Sequence, residues 1–213
     1  MIDLATAPST LAAAIPVRTK RMNTPAHLIF GLAAFSKKHQ METIFGALIG
    51  AMLPDVSLYL MAGVSIFLLD ISPQIVFRDL YFSPQWQQVF AVDNSFILWG
   101  IGFAFALWGR VPWAIALTGA ALLHIALDFP LHMEDARAHF WPLTDWKFIS
   151  PVSYWDNNHH GALIGGIEMA LCAAMAIILW RRFTEIWVRA SVAVLMTLEL
   201  APVFFWAFMM TDL

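Results

Sequence analysis

Charge is scarce in this chain. Lys, Arg, Asp and Glu make up 13% of its 213 residues, hydrophobic residues 60%, and mean hydropathy is +0.69. Soluble domains carry about 25% charged residues, so a soluble globule is excluded and the composition is that of a membrane protein. Basic residues are not in excess either: 12 Lys and Arg stand against 15 Asp and Glu, for a net charge of -3. The footprint of a nucleic-acid binder is therefore missing, and no nucleic acid is expected as a partner. A single cysteine, Cys172, rules out an intramolecular disulfide and any C-x-x-C chemistry. Its apolar surroundings make it a core filler. No G-x-S-x-G elbow, Walker loop or H-E-x-x-H occurs, which removes the α/β-hydrolase, P-loop and zincin classes. There is no internal repeat, low-complexity tract or soluble domain. Residues 1–22 lack a basic segment ahead of an apolar one, so they read as a flexible N-terminal tail rather than a signal peptide, with Met22 an alternative start.

What remains is a single helical membrane domain over 23–213. Apolar windows run over 26–35, 44–69 with a break at Pro54-Asp55, 95–108, 112–129, 161–180 and 186–210. Windows of about 20 residues cross a hydrocarbon core of about 30 Å; shorter ones suit half-spanning or internally buried helices. The expected fold is an all-α integral membrane protein, with five to six membrane helices in an up-and-down bundle. Ten tryptophans, among them Trp99, Trp108, Trp113, Trp141, Trp146, Trp155, Trp180 and Trp187 near window ends, read as interfacial anchors.

The chemistry is concentrated between Leu122 and His160, which holds five of the seven histidines. His124 and Asp128 are one helical turn apart. This H-x-x-x-D spacing puts a nitrogen and an oxygen on one face about 6 Å apart, a gap that an ion with ligand bonds of about 2.1 Å can bridge once the side chains lean together. The plain alternative is a His-Asp hydrogen bond at a helix C-terminus. Pro130 bends the chain beyond it and directs His132 toward the same centre, with Asp135 and His139 following at steps that return to that side.

Other polar residues fall at alternating window ends. His27 opens the first window, Asp55 closes the segment from Ile44 to Leu53, Asp93 and Asn94 open the third, and Asp156, His159 and His160 precede the fifth. In an up-and-down bundle these ends share one side, so a His/Asp cluster is expected at one end of the bundle. The segment 56–69 either returns as a re-entrant piece or continues the second helix, which would set Asp55 near mid-depth. Gly46 and Gly50 form a G-x-x-x-G surface for close packing. Glu168 and Glu199 read as buried hydrogen-bonding partners, and His39 as solvated.

The order TPAH to His27, GALIGAMLPD to Asp55 and HIALD from His124 to Asp128 resembles the bacterial membrane-bound metal-dependent hydrolase family, itself distantly similar to zinc-dependent phospholipases C. The likeness covers 22–142 and ends on Trp141-Pro142. The chain departs from it at AVDNSFILWG, where Asp93 and Asn94 replace a histidine-bearing stretch. The resemblance implies Zn²⁺ or a similar divalent metal held by His27, Asp55, His124 and Asp128, with His132, His139 and Asp93 as further ligands. Asp55 or Asp135 would be the catalytic proton acceptor. It implies hydrolysis of a phosphoester or lipid headgroup in a multi-pass protein of the bacterial inner membrane. The alternative is a non-catalytic protein that binds a metal or a membrane protein partner; a transporter would need a polar path that only Glu168 and Glu199 extend. Six basic residues lie on each side of the predicted bundle. Those opposite the site sit in short loops, which count most, so the site is expected on the extracytoplasmic side.

Overall fold

The computed structural model describes residues 24–154 and 156–211; the N-terminal tail and Trp155 lie outside the described residues. Every regular element among them is helical. Helix α1 is Thr24–Phe35, α2 is Met41–Gly63 and continues as a wider turn over Val64–Leu68, and α3 is the short Pro73–Ile75. Helices α4 (Pro84–Asp93), α5 (Phe96–Trp108), α6 (Pro112–Asp128), α7 (Gly161–Arg182) and α8 (Ile186–Thr211) follow. Three stretches among the described residues are long and apolar enough to cross a membrane: Met41–Leu68, Pro84–Trp108 and Gly161–Arg182. Thr24–Phe35 and Pro112–Asp128 are apolar but shorter. The all-helical, apolar class holds among the described residues; the count of five to six membrane helices is not confirmed.

Local sequence explains where the helices begin. Ser72 and Ser83 each precede a proline and accept the Ile75 and Trp86 backbone N–H, so the proline occupies the first turn, where its missing N–H costs nothing. Ser95 Oγ caps α5 by accepting from Leu98 N at 3.1 Å. At the far end of the molecule, Arg182 Nη1 donates to the carbonyls of Ala33 and Ser36, which α1 leaves open at its C-terminus. The C-terminal turn after α1 leaves His39 largely exposed, as expected, though its ring reaches Glu185 at 3.4 Å.

α1 is the hub, packing on α2, α6, α7 and α8, with Ala26, Ile29 and Leu32 fully enclosed. Its partners show outward apolar side chains such as Phe67 and Leu163, as a lipid-facing surface requires. Cys172, Glu168 and Glu199 are buried inside, in line with their assignments above.

The tightest seam joins α2 and α6. A Cβ on Gly46 would lie 2.5 Å from Trp113 O, and one on Gly50 1.9 Å from Leu117 O, so only glycine lets these backbones meet. The proline at 54 does not end α2. It sits inside one continuous helix, which settles the choice left open by the sequence: 56–63 prolong α2, and Asp55 lies near the middle of the Met41–Leu68 span.

The α2–α6 seam predicts a contrast between two glycines. Gly50→Ala should lower the stability of the detergent-purified protein by about 1–3 kcal/mol through overpacking. Gly63→Ala should leave the melting temperature unchanged or higher, because Gly63 is helical with nothing within 4 Å of its Cβ position. Equal melting temperatures for the two variants would contradict this account of the seam.

Candidate metal centre

The centre is assembled from the first turn of α1, the middle of α2, the last turn of α6 and the irregular segment 129–160. His27, His124 and Asp128 each offer a ligand atom within 4.8 Å of the others, and all three are buried. His27 Nε2 lies 2.9 Å from Asp128 Oδ1, and His124 Nε2 lies 3.2 Å from Asp128 Oδ2. Ligands of a tetrahedral ion with bonds of about 2.1 Å are about 3.4 Å apart, so these spacings fit a single centre. The two imidazoles stack, with centroids 3.9 Å apart.

Asp55 and His132 flank this triad. Asp55 Oδ2 is 3.8 Å from His124 Nε2 and accepts the Thr24 hydroxyl at 3.0 Å. The same hydroxyl pairs with Tyr59 at 2.5 Å. His132 Nε2 is 3.4 Å from Asp128 Oδ2, while its Nδ1 bonds Asp135 Oδ2 at 2.8 Å. Asp135 therefore reaches the centre through His132, and its other oxygen accepts Met133 N.

The protonation of His124 can be deduced from its surroundings. Its Nδ1 lies 2.6 Å from the Ala51 carbonyl, an acceptor only, so Nδ1 carries the hydrogen. Nε2 is buried, makes no hydrogen bond, and faces two carboxylates. Two carboxylates facing this nitrogen call for positive charge between them, carried by a proton on Nε2 or by a bound cation; with the ring neutral, a lone pair points at anionic oxygens. That conflict disappears when a cation lies between them, which is the observation that fits the site to a metal.

Two expected ligands do not join. His139 Nδ1 donates to the Asn94 carbonyl at 3.0 Å, and its ring packs on Phe96 and Phe129. Asp93 ends α4, with one oxygen buried and unbonded, and lies outside the triad. His159 pairs locally with Asp156 at 2.8 Å, and His160 turns the chain in the left-handed region; neither belongs to the triad. A local Asx-type turn wins over convergence there, since Asp156 also accepts Asn158 N.

Sequence reasoning placed Asn94 at a window end without its role, and missed Arg137. Asn94 interrupts the long apolar stretch between α4 and α5, and its side chain donates to the carbonyls of Phe90 and Pro54. It accepts Arg137 Nη1 at 2.7 Å. Arg137 Nη1 is also 3.6 Å from Asp55 Oδ1, and its guanidinium lies over the Phe90 ring. In the sequence Arg137 is one of many loop charges. The available signal was an Asn within an apolar run, which in lipid demands a partner. Ser95, which donates to the Trp141 carbonyl, and Phe96 N, which donates to His139 O, fasten the same loop over the break.

Electrostatics in the segment 129–160 divide its histidines. Burial opposes charge on His132, but the Asp128 carboxylate and Asp135 outweigh it and push its pKa up to about 9. Burial dominates for His139 and pushes it down to about 4. Burial also opposes the charge of Arg137, yet Tyr81, Asp55 and Asp128 raise its pKa further, so it is cationic throughout.

Comparison with protein-family models, with curated proteins and with solved structures finds no match for this chain.

A neutral, buried His139 makes folding sensitive to acid. Its folded pKa of about 4 lies below the ordinary histidine value of 6.5, so its stabilising contribution is intact above pH 6.5 and is lost as pH falls toward 4. The loss should approach about 3 kcal/mol across that window. His139→Asn keeps a donor for the Asn94 carbonyl without a titrating ring. Denaturation of both proteins between pH 7 and pH 4.5 should show a shallower acid decline for the variant; parallel curves would refute the assignment.

Proposed function

We propose that this chain is a membrane-embedded, divalent-metal-dependent hydrolase of the bacterial inner membrane, acting on a phosphoester such as a lipid headgroup. The observation that carries the reading is the unbonded His124 Nε2, aimed at Asp55 and Asp128 beside His27. His27, His124 and Asp128 would hold the ion, with His132 at its margin. A bound zinc-like ion supplies Lewis acidity and lowers the pKa of water to about 7. The Ala51 carbonyl and Asp135 keep His124 and His132 turned with Nε2 inward, the role that outer hydrogen bonds play for histidine ligands. Asp55 is the proton acceptor of choice: its Oδ2 faces the triad, and Thr24 and Arg137 hold the carboxylate in place. Asp135, held on both oxygens, serves as the orienting partner of His132.

The depth of the centre supports a membrane substrate. Asp55 is fourteen residues from the start of α2, about 21 Å along a helix long enough to cross a bilayer, so the site lies at mid-length of that candidate span. The basic residues of the short opposite loops favour an extracytoplasmic site, although each side carries six. A second reading, a structural ion with no turnover in a protein that serves a membrane partner, draws on the burial of all three triad residues.

Protein purified in detergent should carry a zinc-like ion that survives mild dialysis, and the His124→Ala, Asp128→Ala double variant should lose it by elemental analysis. Turnover on a panel of phospholipids and soluble phosphoesters should vanish with chelator and return with metal. Asp55→Asn should cut it by at least about 100-fold while the protein remains folded. Tight metal with no metal-dependent turnover on any substrate would favour the structural ion. A folded wild type free of metal would end both readings.

A further inference from the structure

We propose that Arg137 stands where a second cation would otherwise be needed, so that the centre takes one divalent ion per chain and no more. This rests on the metal reading above. Three carboxylates meet in the network: Asp55, Asp128 and Asp135. One guanidinium, Arg137, lies against them. A divalent ion at the triad would share these carboxylates with a guanidinium that keeps its charge at every pH. A second divalent ion would stand beside that fixed cation, among side chains that are about 95% buried.

Geometry points the same way. Two-metal centres hold their ions about 3.5–4 Å apart and share a bridging oxygen ligand. Asp55 would be a natural bridge, because one oxygen already faces the triad. Its other oxygen, Oδ1, is the one that Arg137 Nη1 approaches at 3.6 Å. The guanidinium is not free to leave. It donates to Asn94 Oδ1, rests over Phe90, and is 4% exposed. Asn94 is in turn pinned to α2 through the Pro54 carbonyl, so the positive charge is built into the helix packing. Arg137 acts through Asp55 and is a positioning residue.

The test is metal stoichiometry of the full chain in detergent, loaded with excess Zn²⁺, desalted and measured by elemental analysis. Wild type and Arg137→Lys should retain one equivalent, because the lysine restores the charge. Arg137→Gln, which keeps an amide donor for Asn94 but no charge, should rise toward two equivalents, and Arg137→Met should do the same. Merely structural damage would lower metal content in the Lys, Gln and Met variants alike rather than raise it in the two neutral ones. Two equivalents in wild type would overturn the proposal and leave the metal reading intact. So would neutral variants that fold and hold one equivalent as tightly as wild type. Wild type that binds no zinc would overturn both. If neither neutral variant folds, the wild-type count alone decides.

Discussion

The hydrogen bond from His124 Nδ1 to the Ala51 carbonyl sets the chemistry of the centre. It exists because two unusual features of α2 coincide. Pro54 has no N–H and opens the helix ladder at the Gly50 carbonyl, and α6 brings a side-chain donor to the next carbonyl, that of Ala51. Gly46 and Gly50 bring the two backbones close enough for that side chain to reach. Were either glycine larger, the helices would separate and the imidazole would lose the partner that fixes its tautomer. Helix packing and ligand chemistry are here the same constraint.

A second consequence concerns the breaks in the long helices. A polar backbone exposed to lipid is costly, so an interrupted span must be satisfied from within the protein. Here the break between α4 and α5 is filled by Asn94 and Ser95, and the segment 129–160 docks onto it through His139, Arg137 and Trp141. Networks of this sort are rigid when every member is paired and weak when one is lost. The roof over the centre is therefore held by the same groups that repair the helix.

Much of this was legible in the sequence. The helical class follows from composition, and the H-x-x-x-D pair from spacing alone, since residues four apart on a helix are neighbours whatever the tertiary fold. His27 and Asp55 were placed with the pair by the order of window ends. The fate of α2 was not decidable locally, because the contacts that brace it around Pro54 come from far along the chain: Asn94 donates to the Pro54 carbonyl 40 residues away, and His124 to the Ala51 carbonyl 73 residues away. The second candidate span begins at Pro84, eleven residues before the apolar window, since PQWQQ is polar by composition yet helical behind the Ser83 cap. Arg137 was invisible for a similar reason: nothing local distinguishes a buried guanidinium from a solvated one until its partners are known.

The burial of the centre also bears on time. His27, His124 and Asp128 are each exposed by 5% or less, beneath a roof fastened by Ser95, Asn94 and Phe96. Ligands that solvent cannot reach do not exchange by simple dissociation. An ion seated there would enter and leave only when the roof opens. Its residence would then be governed by the frequency of roof opening rather than by the strength of its bonds.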